Sequence, residues 1–552
     1  QGGAGRPARG RARASPPPGA AMISVIVRGI NGDTLFGPKN LRRSSTVADL
    51  KADLRRTPPC ANRGLKLLCG SRELESSETF QAADFEDRVE LTAVFVETYQ
   101  VVTWGERGAG GDCSRVAAQL SSGVTNIYRN DVAFAALKAS GEVVTWGNVQ
   151  GGGDSQLVEQ DLAGGVTKVY HNRYAFAAVK AGGAVVTWGA PHVGGDSSAV
   201  SRQLLSGVRM VLSNERAFAA LKEDGSVVTW GDKKGGGDSR VVAQQLTSGV
   251  KELHATYDAF AALKEGGGVV TWGDKEKGGN SRPVARQLLS GVARLYSSYS
   301  AFAALKEDGS VVTWGGARCG GDSGAVAEQL RGGVRGIHSS FGVFAAVRAG
   351  GEAVTWGDTA SGGDSSAVRE QLASGVTGFH STGGAYAAFK EGGGVVTWGQ
   401  HSRGGDSSAV AEQLRSGVVM LHCHVAAFAA LKEGGACVSW PSWPTDSRDS
   451  AEELASGVRA LCSSAGAFAA LKESGRVVTF GNPYVGGDSR AVAHQLAGGV
   501  VSLHSNGGAF AALKEQGAVV TWGKPQQGGD SHEVAEELSW GVRQVFSNPG
   551  AF

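Results

Sequence analysis

Residues 301–315, AFAALKEDGSVVTWG, are the stretch that decides the fold of this chain. Two short apolar runs, AFAAL and SVVTW, flank the charged turn from Lys306 to Gly309. Gly309 can adopt the positive φ that a tight turn requires. The stretch therefore predicts a β-hairpin.

The hairpin recurs along most of the chain, and its closing aromatic residue marks eleven copies. The step between copies is 42 residues everywhere except from Trp440 to Phe480, where it is 40. A period this regular indicates a repeat protein in which each copy buries its apolar face against its neighbours. The marker residues are Trp104, Trp146, Trp188, Trp230, Trp272, Trp314, Trp356, Trp398, Trp440, Phe480 and Trp522.

Each copy has the same order of parts outside the hairpin. A loop of variable sequence follows Trp-Gly, then comes Gly-Gly-Asp-Ser, and then a short helical segment such as residues 407–414. Ser-Gly-Val ends that segment and leads into a third strand, as in residues 292–297. We therefore predict a mainly β fold with three short strands and one short helix in each repeat.

The repeats resemble those of the RCC1 family, and in particular the short-repeat relatives typified by the β-lactamase inhibitor protein BLIP-II. The matching residues are Gly291-Val292 with Leu295, Ala304-Leu305-Lys306 with Gly309, and residues 311–315. The resemblance covers every copy, and it implies a β-propeller with one repeat per blade.

Eleven copies exceed the usual number of propeller blades, about four to eight. Because the family usually closes at seven blades, we expect a seven-bladed ring over residues 97–390 and an incomplete second array over residues 391–552. An open helical stack of the same units is the alternative. The chain stops at Phe552, in the middle of a hairpin, so we expect a fragment.

Residues 1–21 are rich in Gly, Pro, Ala and Arg and contain no acidic residue. Such a segment cannot bury a core, so we expect a disordered basic tail. Its arginines would suit a transit peptide or a nucleic-acid arm. Met22, however, opens the first strand-like run and is the expected natural start.

Residues 22–96 predict a different domain, with turn, helix-cap and helix-stop signals between strand-like runs. In chain order the predicted elements are a strand from Met22, a turn at Asn31-Gly32, a helix over residues 45–54, a stop at Pro58-Pro59, and strands over residues 65–70 and 89–96. This order resembles the ubiquitin-like fold, a β-grasp domain.

The ubiquitin-like resemblance comes with departures from ubiquitin itself. No Gly-Gly follows the last strand, so conjugation to lysines is not expected. Leu67 would hold one corner of the apolar recognition patch, but Thr92 would replace an aliphatic residue at another. A docking or folding module is therefore favoured over a ligand of ubiquitin receptors, with ubiquitin-pathway components kept as candidate partners.

Composition and charge exclude some classes of partner. The chain has 552 residues, too many for one ordinary domain, and its 54 basic and 52 acidic residues give a net charge of +2. This balance argues against nucleic acid or an anionic membrane as a partner. Seven cysteines without a CxxC pair favour an intracellular compartment, cytoplasm or nucleus. No apolar run reaches the ~18 residues of a transmembrane helix.

The Asp of Gly-Gly-Asp-Ser recurs once per repeat, with Asn280 in one copy. Both residue types cap helices through a side-chain oxygen, whereas Asn would weaken a cation site, so helix capping is favoured over calcium binding. The aspartates are Asp112, Asp154, Asp196, Asp238, Asp322, Asp364, Asp406, Asp446, Asp488 and Asp530.

A second periodic position lies 24 residues after each hairpin Trp, or 22 in the shortened copy. It holds five histidines, which could line a metal or ligand site if the repeats close into a ring. Leu and Phe replace them elsewhere and cannot ligate, so a polar-aromatic ladder without a metal is favoured. The position is occupied by Tyr128, Tyr170, Leu212, His254, Tyr296, His338, His380, His422, Cys462, His504 and Phe546.

No catalytic motif is apparent: the sequence has no Gly-x-Ser-x-Gly elbow, Walker loop, HExxH or Gly-x-Gly-x-x-Gly after a strand. We therefore expect neither an enzyme nor a cofactor.

The ninth copy lacks Gly-Gly after Trp440 and carries Pro441 and Pro444, which would disrupt a strand. A decayed loop is favoured there over a specialised blade.

Framework residues repeat almost unchanged, whereas the loop after Trp-Gly and the segment before Ala-Phe differ between copies. Variable Tyr, His and Arg side chains on such loops suit recognition surfaces. We therefore predict a non-catalytic protein-interaction scaffold that carries a non-conjugated ubiquitin-like module. The predicted protein-binding residues are Tyr170, His171, Arg173, Tyr174, Tyr257, Tyr296, Tyr299 and Phe341.

Three other functions stay open on the same resemblance. The chain would be the substrate-recognition part of a HERC-like ubiquitin ligase only together with a catalytic domain beyond Phe552. Guanine-nucleotide exchange or chromatin binding, as in RCC1 itself, would need a basic face. Enzyme inhibition, as in BLIP-II, would suit a secreted protein, but no signal peptide is visible.

Overall fold

The computed structural model describes residues 22–29, 33–54, 64–70, 72–74, 78–81, 88–96, 98–441 and 448–552. The predicted tail over residues 1–21, the Asn31-Gly32 turn, the Pro58-Pro59 helix stop, Pro444 and Asp446 lie outside the described residues. The chain forms two compact units. The first runs to Gln100 and takes in Leu120–Thr125 and Lys138–Glu142, and the second comprises Val101–Gln119, Asn126–Leu137 and Val143–Phe552.

The first unit contains a mixed five-stranded sheet and one helix. The strands are β1 (Met22–Gly29), β2 (Thr34–Arg42), β3 (Gly64–Cys69), β4 (Arg72–Glu73) and β5 (Arg88–Val96), and helix α1 spans Val47–Leu54. The strand order is β2-β1-β5-β3-β4, with β1 and β5 parallel and the other pairs antiparallel. This order is compatible with the ubiquitin-like expectation.

Helix α1 packs on the sheet through Val47, Leu50 and Leu54, each fully buried, as the apolar stripe predicted. A capping box starts the helix: Thr46 Oγ1 accepts from the Asp49 N–H at 3.2 Å, and Asp49 Oδ2 accepts from the Thr46 N–H at 2.8 Å. The expectation for Leu67 was wrong. Its side chain is fully buried in this core, because it alternates inward on β3, so it presents no surface patch.

The second unit is built from three-stranded antiparallel sheets, one per repeat, and the described residues contain ten of them. The first hairpin strands are Ala133–Lys138, Ala175–Lys180, Ala217–Lys222, Ala259–Lys264, Ala301–Lys306, Val343–Arg348, Ala385–Lys390, Phe428–Lys432, Ala467–Lys472 and Ala509–Lys514. The second hairpin strands are Val143–Gly147, Val185–Gly189, Val227–Gly231, Val269–Gly273, Val311–Gly315, Ala353–Gly357, Val395–Gly399, Cys437–Trp440, Val477–Gly481 and Val519–Gly523.

A third strand pairs with the free edge of the first hairpin strand in each sheet. The third strands are Val124–Arg129, Val166–His171, Val208–Ser213, Val250–Ala255, Val292–Ser297, Val334–Ser339, Val376–Ser381, Val418–Cys423, Val458–Ser463 and Val500–Ser505. Third strands of adjacent repeats contact each other, so they form the inner edge of the array. The predicted hairpin and third strand are confirmed in every one of these ten repeats.

Two short helical turns complete a repeat, and most of them are 3₁₀ rather than α. The loop after Trp-Gly holds Arg107–Ala109, Val149–Gly153, Pro191–Val193, Lys233–Gly237, Lys275–Lys277, Ala317–Cys319, Thr359–Ser361, His401–Arg403, Pro483–Val485 and Pro525–Gln527. The segment after Gly-Gly-Asp-Ser holds Ser114–Val116 with Ala117–Leu120, Gln156–Val158 with Glu159–Leu162, Ser198–Leu204, Arg240–Leu246, Arg282–Leu288, Gly324–Val326, Ser366–Val368, Ser408–Val410, Arg490–Val492 and His532–Val534. Two further turns are the 3₁₀ turn Ala181–Gly183 and the α-helix Arg448–Glu453.

Neighbouring repeats are joined by the hairpin aromatics. Phe302 and Trp314 stack with their ring centroids 5.4 Å apart, and Trp314 Nε1 donates to the Gly278 carbonyl of the preceding repeat at 3.0 Å. Ala259 and Ala261 of that preceding repeat pack in the same core. A Cβ on Gly278 would lie 2.6 Å from Phe302 Cδ2, so only glycine fits this junction.

The two ends of the repeat array close on each other. Ala551 forms a β-bridge with Gly105, and Phe552 exchanges backbone hydrogen bonds of 3.0 and 3.1 Å with Trp104. Trp104 Nε1 donates to the Gly528 carbonyl at 3.1 Å, which repeats the junction seen throughout the array. The second unit is therefore one closed ring, in which residues 101–105 complete the last hairpin.

This ring differs from the expected seven-bladed ring over residues 97–390 with a second array over residues 391–552. Packing continues across residue 390, where Ala385 and Ala387 share one core with Phe428 and Trp440. The number of repeats in a closed ring depends on the small rotation between neighbouring repeats. That rotation cannot be derived from the residue pattern of one repeat. The number seven is implied only by the family resemblance. Among the described residues, no helix is both long and apolar enough to cross a membrane.

Candidate functional site

The repeats differ most at the loop that joins the third strand to the hairpin. We call the residue 27 positions after the hairpin Trp the loop position, which falls at 25 positions in the shortened copy. In chain order it holds Asp131, Arg173, Glu215, Tyr257, Tyr299, Phe341, Gly383, Val425, Ala465, Gly507 and Pro549. Large charged or aromatic side chains therefore occupy six consecutive repeats, and the remaining five repeats carry small or aliphatic residues.

The six large residues, Asp131 to Phe341 at the loop position, are called the arc below. Neighbouring loops are joined by backbone hydrogen bonds: the Tyr257 N–H donates to the Tyr299 carbonyl at 3.0 Å, and the Tyr299 N–H donates to the Phe341 carbonyl at 2.9 Å. These bonds hold the side chains of Tyr257, Tyr299 and Phe341 next to each other.

A polar residue directly before the loop position, buried in most repeats, makes hydrogen bonds that fix the loop, as two examples show. Asn214 accepts from the N–H groups of Arg216 and Ala217 at 2.9 and 2.8 Å, and donates to the Gly235 carbonyl at 2.6 Å. The Thr256 hydroxyl likewise donates to the Lys277 carbonyl at 2.7 Å. Because these bonds satisfy buried polar groups, the loops form a rigid base on which the exposed side chains vary.

Three aromatic rings form one end of the arc. The centroids of Tyr257 and Tyr299 are 4.6 Å apart, and those of Tyr299 and Phe341 are 4.4 Å apart. Lys277 Nζ lies 5.0 Å from the Tyr257 centroid and 4.3 Å from the Tyr299 centroid, within cation–π range. The Phe341 side chain is 67% exposed, so this end of the arc presents an apolar ring to solvent.

Charged side chains form the other end of the arc. Arg173 Nε lies 3.0 Å from Asp131 Oδ2, and the Arg173 guanidinium also lies 5.3 Å from the Tyr174 centroid. Glu215 stands between this pair and the tyrosines. Burial raises the pKa of Glu215, and the carboxylates of Asp131 and Asp258 raise it further, while Arg173 opposes them. Among the described residues, Glu215 Oε2 is enclosed and has no hydrogen-bond partner.

The residue after the loop position adds to the charged end. Arg216 Nη2 pairs with Asp232 Oδ2 at 2.9 Å, so this cation is already neutralised. Asp258 is 8% exposed, and its Oδ1 lies 4.0 Å from Arg216 Nε without a hydrogen bond in the described part of the chain. Burial raises the pKa of Asp258. Glu215 and Asp258 are therefore two carboxylates of the site whose negative charge is only partly compensated by neighbouring cations.

A cleft of about 420 Å³ opens between the charged and aromatic ends of the arc. It is lined by loop residues and third-strand ends of successive repeats: Asp131, His171, Asn172, Arg173, Ser213, Asn214, Glu215, Ala255, Thr256, Tyr257 and Tyr299. The cleft therefore has an ion pair at one side, a carboxylate at its centre and stacked tyrosines at the other side.

The structure brings five of the predicted binding residues together, namely His171, Arg173, Tyr257 and Tyr299 at the cleft and Tyr174 against Arg173. Phe341 extends the aromatic end. Tyr170 and Tyr296 lie instead on third strands, half-buried against the cores of the repeats, so they do not belong to the arc. They sit three positions before the loop position and face the core.

Asp131, Glu215 and Lys277 are members of the site that sequence reasoning missed. Asp131 and Glu215 occupy the same repeat phase as Arg173 and Tyr257, which is a signal that the alignment of copies contains. Lys277 lies in the loop after Trp-Gly, and its place over the two tyrosines depends on the fold.

The five periodic histidines, His254, His338, His380, His422 and His504, are half-buried on third strands. Burial lowers the pKa of each of these imidazoles. His338 packs edge-on against Tyr386 at 5.9 Å, and His254 Nε2 lies 3.5 Å from Glu252 Oε2. In the described ranges, no three His, Cys, Asp or Glu residues converge to hold a metal ion.

The Asp of Gly-Gly-Asp-Ser caps the helical turn that follows it, and this prediction is confirmed in the described copies. Asp322 Oδ1 accepts from the Gly324 N–H at 2.8 Å, and Asn280 Oδ1 accepts from the Arg282 N–H at 3.2 Å. Such backbone hydrogen bonds lower the pKa of Asp196, Asp364 and Asp406. The equivalent bonds are made by Asp112, Asp154, Asp196, Asp238, Asp364, Asp406, Asp488 and Asp530.

No family model matches this chain, and no curated protein matches it. Similar solved structures include Prp20p of Saccharomyces cerevisiae, described with its binding to Gsp1p and histones: 14% identity over 54% of this chain and 80% of that chain, with a TM-score of 0.27. The computationally designed Ika8 protein is 13% identical over 62% of this chain and 99% of that chain, with a TM-score of 0.25. Human WBSCR16 is 13% identical over 58% of this chain and 79% of that chain, with a TM-score of 0.22. Identities and scores this low do not place the chain in a family.

Proposed function

We propose that this chain is a non-catalytic protein-interaction scaffold, and that the arc is its binding surface. The observation that carries the proposal is the asymmetry of the ring. The framework residues are nearly the same in all repeats, whereas charged and aromatic side chains gather at the loop position of six consecutive repeats. A purely structural loop would have no reason to concentrate them there.

The chemistry of the arc supports recognition of a protein. Tyrosine and arginine dominate the residues that contribute most to protein interfaces, since they combine apolar area with a polar group. Tyr257, Tyr299 and Phe341 offer a contiguous aromatic face, and Arg173 and Glu215 offer charge beside it. The backbone hydrogen bonds that join the loops of Tyr257, Tyr299 and Phe341 reduce the entropy that binding would otherwise cost there.

The first unit would serve as a ubiquitin-like module that is not conjugated. Its strand order and its helix packing support this role, and the sequence continues from Val96 into the repeats without a Gly-Gly. A reducing intracellular site of action, in the cytoplasm or nucleus, fits the scattered cysteines. No step of this proposal requires catalysis.

Affinity purification of the full chain tests the binding surface. The chain with Tyr257→Ala and Tyr299→Ala is compared with wild type and with Val425→Ala, which alters an exposed side chain at the same loop position on the other part of the ring. We expect the double variant to recover at least ten-fold less of a quantified partner than wild type does. The Val425→Ala variant should recover as much of that partner as wild type. Equal capture by all three proteins would overturn the proposal, provided that their thermal unfolding curves agree.

A further inference from the structure

The cleft in the arc has an imbalance of charge. Of its lining side chains, Asp131 and Glu215 are acidic and Arg173 is basic. Arg173 is already engaged by Asp131 at 3.0 Å and rests on Tyr174. Arg173 also acts on Glu215 electrostatically but forms its ion pair with Asp131, so Glu215 has no ion pair of its own among the described residues, and its carboxylate would repel an anionic ligand.

Glu215 is also short of a hydrogen-bond donor. Its Oε2 is enclosed and accepts no hydrogen bond among the described residues. An enclosed carboxylate oxygen without a donor is costly, and native proteins retain few of them. Because this oxygen is closed to solvent as it stands, a ligand that brings N–H donors and a positive charge would satisfy both needs only with the Glu215 carboxylate turned toward the cleft.

The wall beside Glu215 is suited to a planar cation. Tyr257 and Tyr299 both line the cleft, with their centroids 4.6 Å apart. Lys277 already lies over both rings and Arg173 lies over Tyr174, so cation–π contacts recur at this site, and a guanidinium that stacks on Tyr257 would displace the Lys277 ammonium from that ring. A guanidinium can stack on tyrosine and donate two parallel hydrogen bonds to a carboxylate, which an ammonium cannot do as well.

We propose that this cleft binds an arginine side chain of the partner, with the guanidinium stacked on Tyr257 and hydrogen-bonded to Glu215. This inference rests on the proposed function, and it names the residue type that the binding surface selects. The neighbouring aromatic end, from Tyr299 to Phe341, would contact apolar residues beside that arginine.

Fluorescence anisotropy with the full chain tests the arginine pocket. The probe is a fluorescein-labelled peptide with alternating Gly and Arg, and the comparison peptide carries citrulline, which has nearly the same shape without the charge. Wild type should bind the arginine peptide at least ten-fold more tightly than the citrulline peptide. Glu215→Gln, which keeps the size of the side chain, should remove most of that difference, and Tyr257→Leu should weaken arginine binding at least five-fold.

Glu391→Gln is the matched control, because Glu391 is an exposed carboxylate in a hairpin turn far along the sequence from the arc. It should bind the arginine peptide as wild type does. If Glu215→Gln also binds like wild type, the arginine assignment is overturned. In that case the purification with Tyr257→Ala and Tyr299→Ala still decides the proposed function by itself, so the two failures are distinguishable.

Discussion

The ring of Phe552 stacks on the indole of Trp104 with centroids 5.3 Å apart, so segments from the two ends of the repeat array share one hydrophobic core. Phe552 is 4% exposed and Trp104 is 7% exposed. The contact has the same geometry as the aromatic pairs inside the continuous hairpins, for example Phe134 with Trp146 at 5.3 Å. Closure of the ring therefore depends on the same contact that builds each repeat.

Replacing Phe552 by Ala should open or weaken the ring. The substitution removes a buried aromatic side chain, and we expect the free energy of unfolding to fall by about 3–5 kcal/mol. Chemical denaturation of the full chain measures the change. Phe341→Ala is the control, because it removes the same side chain from an exposed site and should alter stability by less than ~0.5 kcal/mol. Similar losses in both variants would contradict a role for Phe552 in closure.

Gly278→Ala should be more damaging than Gly266→Ala, although both glycines have positive φ, +101° and +82°. The added methyl group would meet Phe302 Cδ2 at 2.6 Å in the first case and nothing within 4 Å in the second. Gly266→Ala should therefore cost only the backbone strain, about 1–2 kcal/mol. Thermal unfolding compares the two variants, and equal shifts in Tm would show that the predicted clash is relieved by movement.

Stability should fall when the pH is lowered from 7 to 5. Burial lowers the pKa of His338, His380 and His422 in the folded chain. The unfolded chain, with histidines near the ordinary value of about 6.5, then binds more protons than the folded chain as the pH falls, which favours unfolding. The capping aspartates do not contribute in this range, since their pKa values are lowered from an ordinary value already below 4.

Leucine at the three histidine positions tests this assignment, because Leu212 occupies the same place in another repeat. The triple variant should show a smaller loss of stability between pH 7 and pH 5 in urea unfolding. A pH dependence equal to that of wild type would assign the effect to other groups.

Asp406→Asn should be nearly neutral, whereas Asp406→Ala should destabilise the chain. The Asp406 carboxylate accepts from the Ser408 N–H at 2.9 Å, and Asn280 makes the equivalent bond in its own repeat. Loss of such a cap costs about 0.5–2 kcal/mol. Denaturant midpoints of the two variants give the comparison, and an equal loss in both would point to the charge rather than the hydrogen bond.

The repeat architecture could be predicted from the sequence because every copy has nearly the same residue pattern. Gly309 at the turn, the apolar strands around it and the 42-residue period each follow from local chemistry. The number of repeats in the ring could not be predicted in this way. It depends on the geometry of junctions such as Trp314 to Gly278, and small rotations there accumulate around the ring.

The candidate site was only partly predictable for a related reason. Aromatic residues in variable loops stand out, so Tyr257 and Tyr299 were found, but Tyr170 was chosen on the same ground and packs against a core. Glu215 attracts no notice in a sequence, since a loop carboxylate is normally solvated. Its enclosure between neighbouring loops appears only once the repeats are placed side by side.

One substitution in the framework also becomes intelligible. Phe480 stands where other copies have Trp, and it belongs to the repeat that comes after the Trp440 loop, which lacks Gly-Gly. Elsewhere the indole N–H donates to the carbonyl of the first glycine in that pair, as Trp522 does to Gly486 at 3.0 Å. Where the preceding loop has no such glycine, an indole N–H would lack this carbonyl acceptor, so Phe can replace Trp. The Phe468–Phe480 stack keeps the aromatic contact, with centroids 5.2 Å apart.

In a ring of nearly identical repeats, the shared framework does not distinguish one repeat from another. A partner that contacted only the shared framework could bind in many equivalent orientations, so its orientation on the ring would not be defined. The run from Asp131 to Phe341, followed by small residues such as Gly383 and Ala465, removes this degeneracy. Under the proposed function, the arc would fix the orientation of a bound partner on the ring, and so the direction in which the rest of that partner points.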